Sequence, residues 1–230
     1  MGLEIRRLHL ASLQGVDGRE WPVHGFLVMH PDGCLLVDSG VGGPERWLTD
    51  WRVVNRSVAE VLGEHDVVPG DVKMVVNTHL HFDHCGQNAV FRHAPFFVQR
   101  TELERARREA PELADWFDFA GARFELLDGD AEIVPGVRAI ATPGHTAGHQ
   151  CVRVDADGEE VLIGDAAYTP ALYLDPDAAE LPPGQASDRA TWSASLKRVH
   201  ASRPRHVHFC HHTRVIRSDA AHGSHVRLGP

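Results

Sequence analysis

The stretch NTHLHFDHCG, residues 77–86, places His79, His81, Asp83 and His84 within six positions, behind the apolar run KMVV (73–76) and ahead of Gly86. In a strand-to-loop turn the first two histidines, two residues apart, share one face, while Asp83 and His84 curl back from the next turn. Imidazole and carboxylate are the borderline ligands that suit zinc. A solvated histidine-rich loop has no need of the apolar strand in front of it.

Working outward, three more places repeat this grammar of an apolar strand followed by a metal-capable side chain: VRAIA–TPGH (137–145), EVLI–GD (160–165) and VHFC–HH (207–212). Strand ends that share one sheet edge are where loops converge side chains into a site. The tight turn Thr142-Pro143-Gly144 aims His145, and His149 reads as a supporting or structural residue. Asp165 follows Gly164, where the backbone can approach closely, and is the natural carboxylate to bridge two metals. In the last cluster, alternation puts His206 and His208 on one strand face. His211, just past the strand end, matches the other ligands in placement; His212 is its alternative. Nine of the 17 histidines fall in these clusters, at 79–84, 145–149 and 206–212.

The chain has 230 residues, 43% apolar and 24% charged, a globular composition that needs no staples. The formal charge of −9 argues against a nucleic-acid-binding surface. No run of 18 apolar residues is present, and Glu4, Arg6 and Arg7 stand where a signal peptide needs an apolar stretch. A cytoplasmic protein with no membrane partner is expected. Cys34, Cys85, Cys151 and Cys210 are scattered, so neither a disulfide scaffold nor a zinc knuckle is expected; Cys85 reads as a small packed side chain.

Residues 25–30 and 34–38 flank the turn Pro31-Asp32-Gly33 and predict a hairpin. Trp47, Trp51, Val54, Val58 and Leu62 predict one or two helices over 44–63. A buried strand is expected at 73–77, a helix capped by Thr101 at 101–109, and strands at 136–141, 149–154 and 160–163. A helix at 188–201, carrying Trp192, Leu196 and Val199 on one face, precedes a final strand at 205–210. Residues 175–188 read as a polar, Pro-rich connection. Trp116, Phe117 and Phe119 suit either a pocket for an apolar chain or a core-facing helix. One domain, 1–230, is expected, with 217–230 a loosely ordered tail. Mixed strands and helices with hairpins predict an α/β sandwich.

HLHFDH (79–84), TPGHTAGH (142–149) and GDAAYT (164–169) resemble the motifs of the metallo-β-lactamase superfamily, and LLVDSG (35–40) resembles its early strand-and-Asp element. Within it, NTHLHFDHCGQN, FFVQRTELE, LLDGDAEIVPGV, TPGHTAGHQ and GDAAYT together resemble the N-acyl-homoserine lactonase, or quorum-quenching, branch. The similarity runs from Pro22 to His212. It implies an αββα sandwich with a dinuclear zinc site, two Zn2+ per chain, along one edge. His79, His81 and His145 would hold one zinc, and Asp83, His84 and His211 the other, with Asp165 bridging. Tyr168 matches the lactonase tyrosine that helps bind the substrate carbonyl, and Asp83 is placed to shuttle a proton. The implied reaction is opening of the lactone ring by a hydroxide that bridges the metals. One departure is Cys210-His211-His212 where the family usually has Gly-His-Asp, which removes a carboxylate. A diiron flavoprotein resembles the pattern with Glu at the position of His81, and a true β-lactamase with Cys or Ser near Asp165. A glutathione-thioester hydrolase shares the ligand set without a recognisable glutathione-binding stretch here. A non-catalytic metal-binding module would need a degraded ligand set. The partner expected is a small lactone or ester, and the sequence is compatible with a homodimer.

Overall fold

Among the described residues, short apolar runs build two seven-stranded sheets. The computed structural model describes residues 3–15, 18–177, 180–218 and 226–228. The first sheet holds β1 (Glu4–Gln14), β2 (Glu20–Met29), β3 (Cys34–Val37), β4 (Val54–Asn55), β5 (Val72–Val76), β6 (Phe96–Gln99) and β7 (Phe124–Leu127). Its order is β4-β1-β2-β3-β5-β6-β7, antiparallel up to β3 and parallel from β3 onward. The second holds β8 (Ala131–Val134), β9 (Val137–Ala141), β10 (Gln150–Ala156), β11 (Gly158–Leu162), β12 (His206–His208), β13 (Ile216–Ser218) and β14 (Val226–Leu228), running from β14 at one edge to β8 at the other.

The period of two along each strand explains why these runs are apolar throughout. Phe26, Val28, Leu35 and Val37 point between the sheets and meet Val137, Val152, Val154 and Leu162 from the second sheet. Leu27 and Leu36, one residue out of phase, point to the other face and meet Val58, Val61 and Leu62. Both faces of the sheet are therefore buried. Truncating the fully buried Phe26 to alanine would cost about 3–5 kcal/mol.

Helices close the outer faces. They are α1 (Glu45–Asp50), α2 (Val58–Gly63), α3 (Arg100–Glu109), α4 (Ala114–Phe117), α5 (Pro170–Leu174) and α6 (Arg189–Ala201). The outer face of the second sheet, with Cys151, Val161 and Val207, packs against Leu172 and Tyr173 of α5 and Trp192, Leu196 and Val199 of α6. The layering is αββα, as the motif resemblance implies. Among the described residues, no helix is long and apolar enough to cross a membrane.

Several expectations need correction. Thr101 does not cap α3, which begins at Arg100 with Gln99 as its cap residue and no side-chain cap bond. The Gln99 amide is engaged elsewhere, with Gly129 and with the Gln150 side chain. The strand at 206–208 is not the last, because β13 and β14 follow it and pair antiparallel at the sheet edge. Those two strands lie where a loose tail from residue 217 is expected; residues 219–225 and 229–230 fall outside the described residues. The eleven-residue β1 has no counterpart in the sequence reading, because a bulge between His9 and Ala11 breaks its alternation.

Candidate metal centre

β5, β9, β11 and β12 end at the same edge of the sandwich, and the residues that follow them meet. His79 Nε2 lies 2.9 Å from His81 Nδ1 and 3.2 Å from His145 Nε2, and His145 Nε2 lies 3.1 Å from His81 Nδ1. A tetrahedral zinc with N ligands at ~2.05 Å sets its donors about 3.3 Å apart, close to this triangle. Asp165 Oδ2 adds a fourth donor, 3.3 Å from His145 Nε2 and 3.7 Å from His79 Nε2.

The other oxygen of the same carboxylate faces a second group. Asp165 Oδ1 is 3.2 Å from His84 Nε2 and 3.2 Å from His211 Nε2. Asp83 Oδ2 completes that group at 3.6 Å from His84 and 3.5 Å from His211. Each group can hold a metal ion. His84 Nε2 and Asp165 Oδ1 are buried without a hydrogen-bond partner. A shared cation satisfies both atoms, and buried groups of this kind are otherwise rare. The donor set therefore fits a metal.

Oxygen partners fix how the rings face. His84 Nδ1 donates to Asp38 Oδ2 at 2.8 Å, His145 Nδ1 to the Gln185 carbonyl at 3.2 Å, and His211 Nδ1 to the Pro22 carbonyl at 2.9 Å. His79 Nδ1 donates to Thr78 Oγ1 at 3.1 Å, and that hydroxyl donates onward to Asp38 Oδ2 at 2.7 Å. Protonation at Nδ1 leaves the Nε2 lone pair aimed inward. His81 differs, presenting Nδ1 to the centre. Asp38, in the left-handed region at φ 59°, anchors this network and also accepts the Thr78 backbone N–H.

Asp165 is held from behind. Its backbone N–H donates to His149 Nε2 at 3.0 Å, and His149 Nδ1 donates to Thr142 Oγ1 at 2.9 Å. A Cβ at Gly164 would come within 2.7 Å of His149 Nε2, and the φ of +54° there also favours glycine. Cys85 is fully buried, with its thiol donating to the His81 carbonyl. His212 belongs to neither donor group and lines, with Arg19, Thr169 and Thr213, a second groove that shares Trp21 and His211 with the main cavity.

Burial pushes the pKa of His79 and His81 below the ordinary range, and that of His145 to about 4. These rings are thus neutral, with free lone pairs, at neutral pH. Burial also opposes charge on His84 and His211, but Asp165 and Asp83 outweigh it and raise both. For Asp165 burial favours the neutral acid, yet His84, His211 and His145 hold it ionised.

Above these groups opens a cavity of about 450 Å³, floored by His81, Asp83, His145, Asp165 and His211. Its walls are Trp21, Trp47, Trp51, Phe82 and Tyr168, with Pro182 to Gly184 on one side. The Tyr168 ring stands edge-on between His145 and His211, at 5.8 and 5.3 Å between centroids. Burial, then Asp165 and Asp83, raise its pKa well above the usual phenol value, so the hydroxyl keeps its proton. Trp116, Phe117 and Phe119 do not line this cavity. Phe117 is buried in the core with Leu103 and Leu113, Trp116 packs beside it, and Phe119 packs under the first sheet.

Gln185, within the expected connection, is fully buried. Its side chain accepts from the Tyr168 N–H and donates to the Asp165 carbonyl. Nothing in that Pro-rich stretch marks it out. Glu102 likewise reads as a helix former but is fully buried behind the histidines.

Fold and centre together define a class. The metallo-beta-lactamase superfamily profile matches residues 18–211, and the chain belongs to that superfamily. Its donor clusters are of a kind that could hold metal ions. It is 35% identical over 199 residues to the N-acyl homoserine lactonase AttM of Azorhizobium caulinodans, covering 72% of each chain. It is 33% identical over 165 residues to an N-acyl homoserine lactonase of a Bacillus species, covering 64% of this chain and 65% of that one. The chain thus spans about two thirds of the length of that relative. Among solved structures, an N-acyl homoserine lactone hydrolase with N-hexanoyl-L-homoserine at its catalytic metal centre superposes with a TM-score of 0.75 at 26% identity, covering 91% of this chain and 92% of that one.

Proposed function

We propose that the protein is a zinc-dependent hydrolase that opens the lactone ring of N-acyl homoserine lactones to give N-acyl homoserines. The observation that carries this reading is Asp165, one carboxylate whose two oxygens face two separate donor triads on the floor of an aromatic-walled cavity. His79, His81 and His145 would hold one zinc and Asp83, His84 and His211 the other, with Asp165 offering one carboxylate oxygen to each group. Zinc bound there supplies a water that ionises near pH ~7 and an electrophile for the carbonyl.

The chain's own groups do the rest. Asp38, Thr78, the Pro22 carbonyl and the Gln185 carbonyl hold four imidazoles in one tautomer, so little reorganisation is needed in the reaction. The Tyr168 hydroxyl donates to the lactone carbonyl oxygen, and more strongly once that oxygen becomes an anion. Asp83 is the carboxylate placed to carry a proton to the departing alkoxide, so that water is added across the acyl–oxygen bond. Tryptophan and phenylalanine walls suit an apolar acyl chain, and the lactonase relatives support that substrate class.

The test is a panel of N-acyl homoserine lactones, glutathione thioesters and β-lactams with the zinc-loaded protein. Lactones should give the highest kcat/KM. A glutathione thioester preferred over every lactone would contradict the reading.

A further inference from the structure

We infer that Glu102 is a positioning residue for the His79–His81–His145 donor set, through a single buried carboxylate that ties together the two loops carrying those histidines. Glu102 sits in the first turn of α3 and is fully buried. Its Oε1 accepts the Leu80 backbone N–H at 2.9 Å, and Leu80 is the residue between His79 and His81. Its Oε2 accepts the Thr146 hydroxyl at 2.7 Å and the Gly148 N–H at 3.2 Å. Thr146 follows His145, and Gly148 precedes His149, the ring that holds the Asp165 N–H. Arg105 supplies the countercharge, with Nη2 at 2.6 Å from Oε1 and Nε at 3.3 Å from Oε2.

The loops concerned come from different sheets, one after β5 and one after β9, and α3 lies against both. Contact with the second loop is so close that a Cβ at Gly148 would fall within 2.5 Å of the Glu102 backbone. Burial works against a charge here, but Arg105, Thr146 and the Leu80 N–H outweigh it and hold the pKa at about 2. The carboxylate is therefore an acceptor for every one of these donors across the working pH range. By contrast, Glu102 makes no bond to the second donor set: Asp38 orients His84, the Pro22 carbonyl orients His211, and the shared Asp165 is reached only indirectly, through His149. Loss of Glu102 should therefore loosen one triad and spare the other.

This rests on the two-metal reading. The experiment is a chelator-competition titration of zinc into the metal-free full chain, for wild type, Glu102→Gln, Thr146→Val and His145→Ala, with melting temperatures alongside. Outer partners of metal ligands typically contribute 10–100-fold in affinity. In Glu102→Gln the binding step that His145→Ala abolishes should weaken by that factor, while the other step stays within about threefold. Thr146→Val, which removes one bond at little change in shape, should weaken the same step several-fold, and it carries the test if Glu102→Gln does not fold. Both steps unchanged, whatever the melting temperature, would make Glu102 merely structural and overturn the inference. Equal weakening of both steps would overturn it as well. A wild type that binds no zinc would overturn the functional reading along with it, whereas a wild type with two steps and unaltered variants overturns this inference alone.

Discussion

On the cavity floor every imidazole but His81 has its Nδ1 tied to an oxygen, whereas the Trp21, Trp47 and Trp51 rings of the wall are held by ring-edge contacts and apolar packing. The floor residues follow strand ends and take their directions from hydrogen bonds, which are sensitive to tenths of an ångström. Most wall residues come from the start of β2, from α1 and the turn after it, and from the loop before α6, while Phe82 and Tyr168 come from the ligand-bearing segments themselves. Packing of that kind tolerates a change of side chain better than a ligand set does. The difference separates two jobs: the floor sets which reaction is run, and the wall sets which molecule reaches it.

Asp165→Asn tests the floor hardest. It should reduce zinc from two equivalents to about one and lower kcat on the order of 10³-fold. A variant that kept both metals and full turnover would remove Asp165 from the bridge and split the floor into unrelated halves. Tyr168 stands between floor and wall, so its replacement sharpens the boundary. Tyr168→Phe should lower kcat by ~10–100-fold with zinc content and melting temperature unchanged, because one oxyanion donor is lost while zinc still carries much of the charge. Unchanged turnover would assign Tyr168 to the wall, and a large drop in melting temperature would assign it to the core.

Trp51→Ala probes the wall alone. Removing that ring should lower kcat/KM for a decanoyl homoserine lactone by about tenfold, and for a butanoyl one by less than about twofold, since only the longer chain buries extra methylenes against it. Equal losses for both would mean that the wall positions the ring rather than the chain. The smallest effect expected is in stability against pH, followed in metal-free protein. Glu102 is held at about 2 in the folded chain, against an ordinary value near 4.5, so its contribution is complete above the ordinary value and is lost as pH falls through about 2. The melting temperature of wild type should fall a few degrees further than that of Glu102→Gln between pH ~5 and ~2.5. Parallel curves would show that the Arg105 pair does not hold these loops.

The floor was legible in the sequence because its donors are local. His79, His81, Asp83 and His84 occupy a single turn, and His145, Asp165 and His211 each follow a recognisable apolar strand. Groups that act through distant backbone were not legible. The His145–Gln185 bond joins residues 40 apart, and the Gln185 carbonyl leaves no mark on residue type. Glu102 has the look of any glutamate opening a helix until the fold places Leu80, Thr146 and Gly148 on it. The walls were not legible for a related reason. Helical spacing at Trp47 and Trp51 predicts a helix, and α1 forms there, but nothing in that spacing shows that both partly buried rings also line the cavity.

The most direct test of the two-triad floor is the zinc content of the full chain, loaded with zinc, dialysed against metal-free buffer and measured by atomic emission as lactone hydrolysis is followed. Two zinc ions per chain are expected, with turnover rising as the second equivalent binds. Full turnover at one zinc per chain would contradict the shared floor.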